Sequence, residues 1–376
     1  MRDKQYQIGV RGNKLRVDEM PEIVIQNDHI LRALEVILDP SCAEERRHAF
    51  ADYYSVDMPE FPQWCGKIQR RYPKVAPAKV VLTNSQVDFR AAIGNADAVV
   101  VEDFTVGDAE LSAAPNLKIV QNFRTDMRNI DEVACQKRNI PALPFHRKVN
   151  VAVGEHAFAL MMDLAKKLTE TNKLLTIEEL KAEGWPARVY DRQHTANSNW
   201  ARISGIKNLS GSTLGIIGLG SVGRYVANWA NAFGMKVLYY QRNQLNETLE
   251  AEFNTTYVPL NELFAQSDFI SIHVPLNEST KGMIGAEQLN AATKLPIIVN
   301  IARADIIQRD ALLAALDTGK LGGVGMDVHY KEPGDLDDPF RSYKNVGMSP
   351  HIAIGTRVNG AHDMEALISN IAEALS

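Results

Sequence analysis

The sequence predicts an α/β protein built from two doubly wound parallel-sheet domains. The chain has 376 residues, which is about two and a half times the length of an average domain. Before residue 150, short apolar runs alternate with helix-like segments, a pattern typical of βα units around a parallel sheet. Further along, a glycine-rich turn separates a strand pattern from a helix pattern, which indicates a second α/β domain.

The composition limits the class of protein. Apolar residues make up 45% and charged residues 23% of the chain, as in ordinary folded domains and unlike disordered chains. The formal net charge of -5 disfavours nucleic acid as a partner. Three cysteines without a CxxC spacing indicate reduced thiols and provide no zinc framework. The first twenty residues lack an apolar core and no apolar stretch is long enough to span a bilayer, so we expect a cytoplasmic protein without a membrane partner.

The first half of the chain supplies the elements of the first sheet. Five runs rich in β-branched residues are expected to be strands: residues 34–40, 79–84, 97–103, 117–122 and 140–145. Three segments between them have helical patterns: residues 42–54, 87–94 and 130–138. These elements predict a separate α/β layer domain.

The middle of the chain joins this domain to the next. The spacing of apolar residues after Gly154 predicts a helix that leads into a second domain. Thr176 and Glu179 have the spacing of a capping box at the start of a short helix. Residues 184–199 are polar and contain glycine and proline, so they predict a long surface loop.

A dinucleotide-binding turn is indicated by the residues after the next strand pattern, in the order Gly218, Leu219, Gly220, Ser221, Val222 and Gly223. Gly218 allows a tight turn, Gly220 lets the backbone approach a pyrophosphate, and Gly223 lets the helix pack closely on the strand. The N-terminus of the following helix favours an anion. The order of strand, turn, helix and strand makes this pattern specific.

The end of the second strand in this domain bears on the choice of dinucleotide. An acidic residue there commonly binds the ribose 2′-hydroxyl of NAD, but this chain has Gln241 followed by Arg242. The neutral Gln241 would not repel a 2′-phosphate, and Arg242 can donate hydrogen bonds to one. The sequence therefore favours NADP, with NAD and an Arg242 stacked on adenine as the alternative.

Further motifs lie on both sides of the turn: VAVGEH (151–156), SIHVPLNEST (271–280), VNIARADIIQRDAL (299–312), GVGMDVHYKEP (323–333) and MSPHIA (348–353). With TLGIIGLGSVG (213–223), they resemble the D-isomer-specific 2-hydroxyacid dehydrogenase family. The resemblance implies a Rossmann dinucleotide-binding domain, residues 151–352, inserted into a flavodoxin-like substrate domain, residues 1–150 and 353–376. It also implies a homodimer, and hydride transfer between a nicotinamide cofactor and a 2-oxoacid or D-2-hydroxyacid.

The resemblance assigns chemical roles to residues in these motifs. Arg303 matches the arginine that binds the substrate carboxylate, His351 matches the acid/base, and Glu332 matches the carboxylate that orients it. Asp327 matches the acid that accepts the carboxamide N–H of nicotinamide. The other expected cofactor contacts are His273, Val274, Pro275, Thr280, Ile301 and Ala302, together with Arg303 and His351 themselves.

The substrate loop departs from the family pattern. Where the family has glycines before Asn-Ile-Asp, this chain has FRTDMRNID (123–131), so we expect a reshaped pocket with Arg124 as an added cation. The expected substrate contacts are Arg124, Thr125, Asn150 and Arg303, and the identity of the 2-oxoacid stays open. No metal site is expected. His156 and Glu155 are adjacent, so their side chains point apart on a helix, and His156 is expected to be a helix-start residue.

Two other functions share these motifs. Formate dehydrogenases have the same architecture but are expected to carry Gln at the position of Glu332, and phosphite oxidation is compatible with the Arg, Glu and His set. Some relatives are corepressors that sense a bound dinucleotide. An assay of cofactor oxidation with 2-oxoacids separates an enzyme from such a sensor, because a sensor would be inactive with all of them.

Overall fold

Two parallel β-sheets organise the structure, a computed structural model that describes residues 20–376. The chain forms two compact units, the described residues up to Lys148 together with Thr356–Ser376, and Val149–Gly355. The sequence places the corresponding boundaries after residue 150 and before residue 353. The expectation that the N-terminus contains no signal peptide concerns residues that, except Met20, lie outside the described range.

The first unit begins with alternating strands and helices. Its strands are β1 (Glu22–Gln26), β2 (Lys79–Thr83), β3 (Ala98–Val101), β4 (Ile119–Asn122) and β5 (Ala142–Leu143). Its helices are α1 (Arg32–Leu38), α2 (Glu44–Ser55), α3 (Phe61–Arg71), α4 (Gln86–Ala92), α5 (Asp108–Ala113) and α6 (Glu132–Lys137). The strands are parallel in the order β2-β1-β3-β4-β5, which is the flavodoxin-like order.

One expected strand in this unit is wrong. Residues 34–40 form most of α1, because Leu34, Val36, Ile37 and Leu38 are all buried in the core of the unit. A short apolar run that is buried on several sides has no helical or strand period to distinguish the two structures. The strand β1, which lies between β2 and β3, and the helices α3 and α5 were not among the expected elements. The other four expected strands and three expected helices are confirmed within a few residues.

The second unit continues the alternation after the boundary. Its helices are α7 (Lys148–Lys166), α8 (Ile177–Ala182), α9 (Ser221–Ala232), α10 (Glu247–Glu252), α11 (Leu260–Gln266), α12 (Ala286–Ala291) and α13 (Arg309–Asp317). Its strands are β6 (Thr213–Ile217), β7 (Lys236–Tyr240), β8 (Thr255–Tyr257), β9 (Phe269–Ile272), β10 (Ile297–Asn300), β11 (Gly323–Met326) and β12 (Val346–Met348). A last helix, α14 (Val358–Ala374), returns to the first unit and packs Leu367 and Ile371 into its core.

The sheet of the second unit has the order β12-β11-β10-β9-β6-β7-β8, and all its strands are parallel. Its first six strands in chain order follow the Rossmann order, with β12 added at one edge. Apolar clusters cover both faces, because alternate residues of β6 such as Ile216 and Ile217 point to opposite sides. The doubly wound α/β fold class is therefore confirmed for both units.

Two local predictions for the middle segment are also confirmed. The Thr176 hydroxyl accepts the Glu179 N–H at 3.2 Å, and the Glu179 carboxylate accepts the Thr176 N–H at 3.0 Å. The chain then runs without helix or strand from α8 to β6. Among the described residues, none of the helices is both long and apolar enough to cross a membrane.

Candidate active site

The seven-stranded sheet brings the candidate residues to one edge. Gly218 comes after β6, His273 after β9, Arg303 after β10, Asp327 after β11 and His351 after β12. These five strands are neighbours in the order β12-β11-β10-β9-β6 and run parallel. Their carboxyl ends therefore meet at one edge, which is where open α/β sheets bind ligands.

The glycine turn leaves space for a ligand next to the backbone. Gly218 has φ +96°, and a Cβ there would lie 2.7 Å from Val274 Cγ1, so this position needs glycine. A Cβ on Gly223 would lie 2.2 Å from the Gly218 carbonyl oxygen, so the close packing of α9 on β6 needs a second glycine. A Cβ on Gly220 would meet nothing within 4 Å. The N-terminus of α9, which begins at Ser221, adds a positive dipole end, and these residues fit a dinucleotide pyrophosphate.

Gln241, directly after β7, supports the turn from the neighbouring strand. Its side-chain oxygen accepts the N–H of the buried Leu219 at 3.3 Å, and its amide donates to the Asn243 carbonyl at 2.7 Å. Arg242 is exposed, and its guanidinium has no hydrogen bond or ion pair within the described part of the chain. The neighbouring residue of the glycine turn, Val222 in the first turn of α9, is partly buried against the core and is not exposed as Arg242 is. Arg242 is thus available to a ligand, whereas Gln241 is already used by the turn.

The segment after β9 lies against the same turn. The His273 N–H donates to the Ile217 carbonyl at 2.8 Å, and Nε2 of its ring is 2.8 Å from the Ser271 hydroxyl. Desolvation lowers the pKa of His273 to about 3, so the ring is neutral. Its Nδ1 is buried and has no partner within residues 20–376. The Thr280 hydroxyl closes this segment by donating to the Pro275 carbonyl at 2.6 Å.

Arg303 lies on a loop that is fixed by the last residue of β10. The Asn300 side chain accepts the Ala302 N–H at 3.0 Å and donates to the Arg303 carbonyl at 2.9 Å, while Ile301 between them is buried. The Arg303 side chain is exposed and donates one hydrogen bond, to the Ala302 carbonyl at 2.6 Å. Within residues 20–376, no carboxylate forms an ion pair with it. Most of its guanidinium donors therefore remain for a ligand.

His351 and Glu332 form a hydrogen-bonded pair. Nδ1 of His351 is 2.7 Å from Oε2 of Glu332, and the other carboxylate oxygen accepts the His329 N–H at 2.8 Å. Burial raises the pKa of Glu332, but the hydrogen bonds from His351 and from the His329 backbone outweigh it, and the net pKa is lowered. Glu332 is therefore an ionised partner for the imidazole at neutral pH. Because Nδ1 is engaged, Nε2 of His351 is the nitrogen that can exchange a proton with a ligand.

Asp327 holds the loop that carries His351. Its carboxylate accepts the Ser349 hydroxyl at 2.6 Å, the Ile352 N–H at 2.9 Å and the Ala353 N–H at 2.7 Å. Burial raises the pKa of this carboxyl, but the hydrogen bonds outweigh burial and the net pKa is lowered. The side chain is fully buried. The structure thus shows a use for both oxygens within the loop, and the expected contact to nicotinamide stays a prediction.

Two of the expected substrate residues, Arg124 and Thr125, lie on the loop after β4 in the first unit. Arg124 forms an ion pair with Asp103 at 2.5 Å and lies 3.8 Å from Glu102. Thr125 follows Arg124, and Asn150 lies in α7 and is partly exposed. Arg124, the expected added cation, is therefore already paired with Asp103. The local sequence did not suggest this ion pair.

Two histidines outside the expected set contact the His351 loop. His156, in α7, is 2.8 Å from the Ser349 hydroxyl and 3.4 Å from Asp327 Oδ1. His329 places Nε2 2.8 Å from the Ser349 carbonyl. The His329 contact depends on the pairing of β11 with β12, and the His156 contact depends on where α7 packs, so no local pattern could have identified either. Across residues 20–376, no three His, Cys, Asp or Glu side chains are grouped so that they would hold a metal ion.

Comparison with known proteins decides the family. Residues 158–353 match the family model described as D-isomer specific 2-hydroxyacid dehydrogenase, NAD binding domain. The chain belongs to the D-isomer-specific 2-hydroxyacid dehydrogenase family. A glyoxylate reductase of Korarchaeum cryptofilum is 34% identical over 70% of this chain and 75% of its own length, and one of Thermococcus litoralis is 32% identical over 76% and 80%.

A solved structure supports the fold of this dehydrogenase. The glyoxylate reductase from Paecilomyes thermophila superposes with a TM-score of 0.53 at 23% identity and covers 95% of this chain and 96% of its own. Family membership and the site at the sheet edge together identify a nicotinamide-dependent oxidoreductase that interconverts 2-oxoacids and D-2-hydroxyacids. The predicted family, fold class and reaction class are confirmed.

Proposed function

We propose that this dehydrogenase reduces a small 2-oxoacid, with Arg303 binding the carboxylate and His351, paired with Glu332, supplying the proton. The observation that carries the proposal is the 2.7 Å contact between His351 Nδ1 and Glu332, two strands away from an arginine with no carboxylate partner in the described chain. This arrangement provides the anion site and the proton donor that reduction of a 2-oxoacid requires.

The residues of the chain divide the reaction between them. The cofactor, when bound at the glycine turn, supplies the hydride that adds to the carbonyl carbon. Arg303 holds the substrate carboxylate and polarises the adjacent carbonyl. As the carbon–oxygen double bond becomes a single bond, Nε2 of His351 gives its proton to the oxygen, and Glu332 stabilises the imidazolium beforehand. In the oxidation direction, Nε2 takes the proton back.

The test of this proposal is a panel of 2-oxoacids assayed with NADH and with NADPH. We expect glyoxylate, hydroxypyruvate or pyruvate to be reduced, and His351→Ala to lower kcat by about a hundredfold or more while cofactor affinity is kept. The exposed His48, in α2, provides a matched control as His48→Ala. Near-normal turnover of His351→Ala would refute the role of His351, and inactivity with the whole panel would favour the sensor alternative.

The ion pairs around Arg124 favour a substrate without a second acidic group, such as glyoxylate. Asp103 pairs with Arg124 at 2.5 Å, and Arg147 lies 3.5 Å from Glu102 and stacks over the Phe123 ring at 4.2 Å. The positive charges of Arg124 and Arg147 are thus paired with the negative charges of Asp103 and Glu102. A second carboxylate or a phosphate on the substrate would have to compete with Asp103 and Glu102 for these cations. The curated relatives named above are also glyoxylate reductases.

For the cofactor we propose NADP. Arg242 supports this proposal, because it is exposed and unpaired within the described residues. It is the second residue after β7, the strand whose end lies beside the ribose in such domains. Arg242→Ala should raise the KM for NADPH about tenfold and leave the KM for NADH within about twofold. Arg70→Ala, which removes an exposed arginine of the first unit, is the control. A parent enzyme that prefers NADH, or a variant that keeps its NADPH preference, would contradict the assignment.

We further propose a homodimer of cytoplasmic location. The tract between α7 and β6 exposes four apolar side chains, Leu168, Leu175, Val189 and Ile206, the second of them at 78%. The free thiols of Cys42, Cys65 and Cys135 are compatible with a reducing compartment. Light scattering should give the mass of a dimer at micromolar concentration, and Leu175→Asp should shift it toward the monomer. A monomeric parent protein would refute the dimer.

A further inference from the structure

Ser349 is a junction of hydrogen bonds two residues before His351. Its carbonyl accepts the His351 N–H at 2.9 Å and lies 2.8 Å from His329 Nε2. Its hydroxyl donates to Asp327 Oδ1 at 2.6 Å and lies 2.8 Å from His156 Nε2. The hydroxyl proton is used toward Asp327, so its oxygen accepts from His156. Every polar group of this serine side chain, and its carbonyl, is therefore fixed.

His329 contacts Glu332 directly and is linked to His351 through the Ser349 carbonyl. Its backbone N–H donates to Oε1 of Glu332 at 2.8 Å, and its ring reaches the carbonyl that also binds the His351 N–H. Since a carbonyl only accepts hydrogen bonds, Nε2 of His329 carries the proton. Nδ1 is buried without a partner among the described residues, so the ring donates from Nε2 alone.

The backbone of His351 needs such support. Its φ is +55°, in the left-handed region that non-glycine residues seldom adopt. A residue in this conformation keeps it only where surrounding contacts determine it. The contacts at Ser349 precede His351, and the Asp327 carboxylate binds the two N–H groups that follow it. Loss of the hydrogen bond from His329 Nε2 would leave the Ser349 carbonyl with the His351 N–H as its remaining partner in the described part of the chain.

We propose that His329 is a positioning residue for the acid/base pair. By holding the Ser349 carbonyl with its ring and the Glu332 carboxylate with its backbone, it fixes the direction in which the His351 imidazole points. This inference rests on the proposed role of His351 as acid/base. His329 itself exchanges no proton with substrate, because its Nε2–H is directed to the carbonyl and its Nδ1 is buried.

The test uses two variants of the full-length enzyme. His329→Phe keeps the size of the ring but has no donor, whereas His329→Gln places an amide N–H near the position of Nε2. The rate of reduced-cofactor oxidation by glyoxylate, or by the best substrate of the panel, is measured in single turnovers with enzyme in excess. This rate reports on folded, loaded enzyme and does not change with the active fraction. Cofactor affinity is measured by fluorescence titration.

We expect His329→Phe to slow the single-turnover rate about ten- to a hundredfold, the usual effect of a small misplacement of a catalytic group. Its cofactor affinity should stay within about twofold, and His329→Gln should recover to within about threefold of the parent. His48→Phe, at a side chain that is 83% exposed, should match the parent. A parent-like rate for His329→Phe, or equal loss in both variants, would overturn the proposal.

The same assay separates this inference from the proposed function. If His351→Ala keeps a normal rate, His351 is not the acid/base and the proposed mechanism fails. If His351→Ala loses activity while His329→Phe is normal, the mechanism stands and only the positioning role of His329 is refuted.

Discussion

Replacing Glu332 by glutamine removes the negative charge beside His351 and keeps the length of the side chain. In the structure, the carboxylate is 2.7 Å from Nδ1 of His351 and is oriented by the His329 N–H. Glutamine retains one acceptor oxygen, so the geometry of the pair can persist. What is lost is the negative charge beside Nδ1, which favours a positive charge on the ring during proton transfer.

The size of the effect follows from the contact and its exposure. A hydrogen bond between charged groups contributes about 1.5–3 kcal/mol. The two side chains are 43% and 37% exposed, so solvent screens the pair and the lower value applies. About 1.4 kcal/mol corresponds to a tenfold change in rate.

The sign is set by the ionisation of Glu332. Because the net pKa of Glu332 is lowered, its charge is present throughout the neutral range and is lost only as the pH falls through that lowered pKa. Reduction needs a proton from the imidazole, and the negative charge of Glu332 favours a positively charged ring beside it. Glu332→Gln should therefore lower kcat for reduction about tenfold at neutral pH, where the parent carboxylate is ionised.

The assay is the measurement of kcat and kcat/KM for 2-oxoacid reduction at neutral pH and saturating cofactor. Glu332→Asp, which keeps the charge and shortens the side chain, serves as the matched control and should retain more of the parent kcat than Glu332→Gln. A kcat of Glu332→Gln within about twofold of the parent would refute the idea that this charge assists proton transfer by His351.

Three other perturbations have defined outcomes. Asp103→Asn should release Arg124 from its ion pair and lower the KM for a dicarboxylic 2-oxoacid such as oxaloacetate. The expected decrease is about fivefold, because an exposed ion pair is weak. An unchanged KM in steady-state kinetics would place Arg124 away from the substrate. Gly220→Ala should keep the thermal stability of the parent but weaken cofactor binding at least tenfold, whereas Gly223→Ala should also lower the melting temperature, because its Cβ would meet a backbone oxygen at 2.2 Å. Differential scanning fluorimetry and fluorescence titration of both glycine variants check this, and equal melting temperatures would contradict it. Asp327→Asn should lower the free energy of unfolding by about 2–4 kcal/mol at pH 7, because the variant loses a buried charge that accepts three hydrogen bonds. The stabilisation by this carboxylate should fade only as the pH falls through its lowered pKa, and urea unfolding at pH 7 and at pH 3 measures both effects.

The parts of the fold that sequence could predict are those with local causes. The turn at Gly218 is set by steric limits that act within a few residues, and the capping box at Thr176 involves residues three apart. Strands such as β3 and β4 are buried on both faces and therefore appear as short runs of β-branched residues. Helix α1 shows the limit of such reasoning, because its burial in the unit core removes the polar face that would have indicated a helix.

The parts of the site that sequence could not predict involve residues far apart in the chain. His329 and Ser349 are twenty positions apart, and they meet because β11 and β12 are neighbours in the sheet. His156 reaches the same serine from α7, across 193 positions. Arg124 lies beside Asp103 because β3 and β4 pair in the first sheet. Family resemblance supplied the residues Arg303, Glu332 and His351, but it gave no information on what holds them.

The order of strands in the second sheet has a consequence for how this enzyme tolerates change. The glycine turn follows β6 and His351, the proposed acid/base, follows β12, and these two strands are four strand spacings apart. At about 4.8 Å per spacing, the two strand ends are separated by about 19 Å, a distance set by backbone hydrogen bonds and independent of side-chain identity. Insertions in the connections, such as the long tract between α8 and β6, leave this separation unchanged. The connecting loops can therefore change in length while the distance between the glycine turn and His351 stays constant.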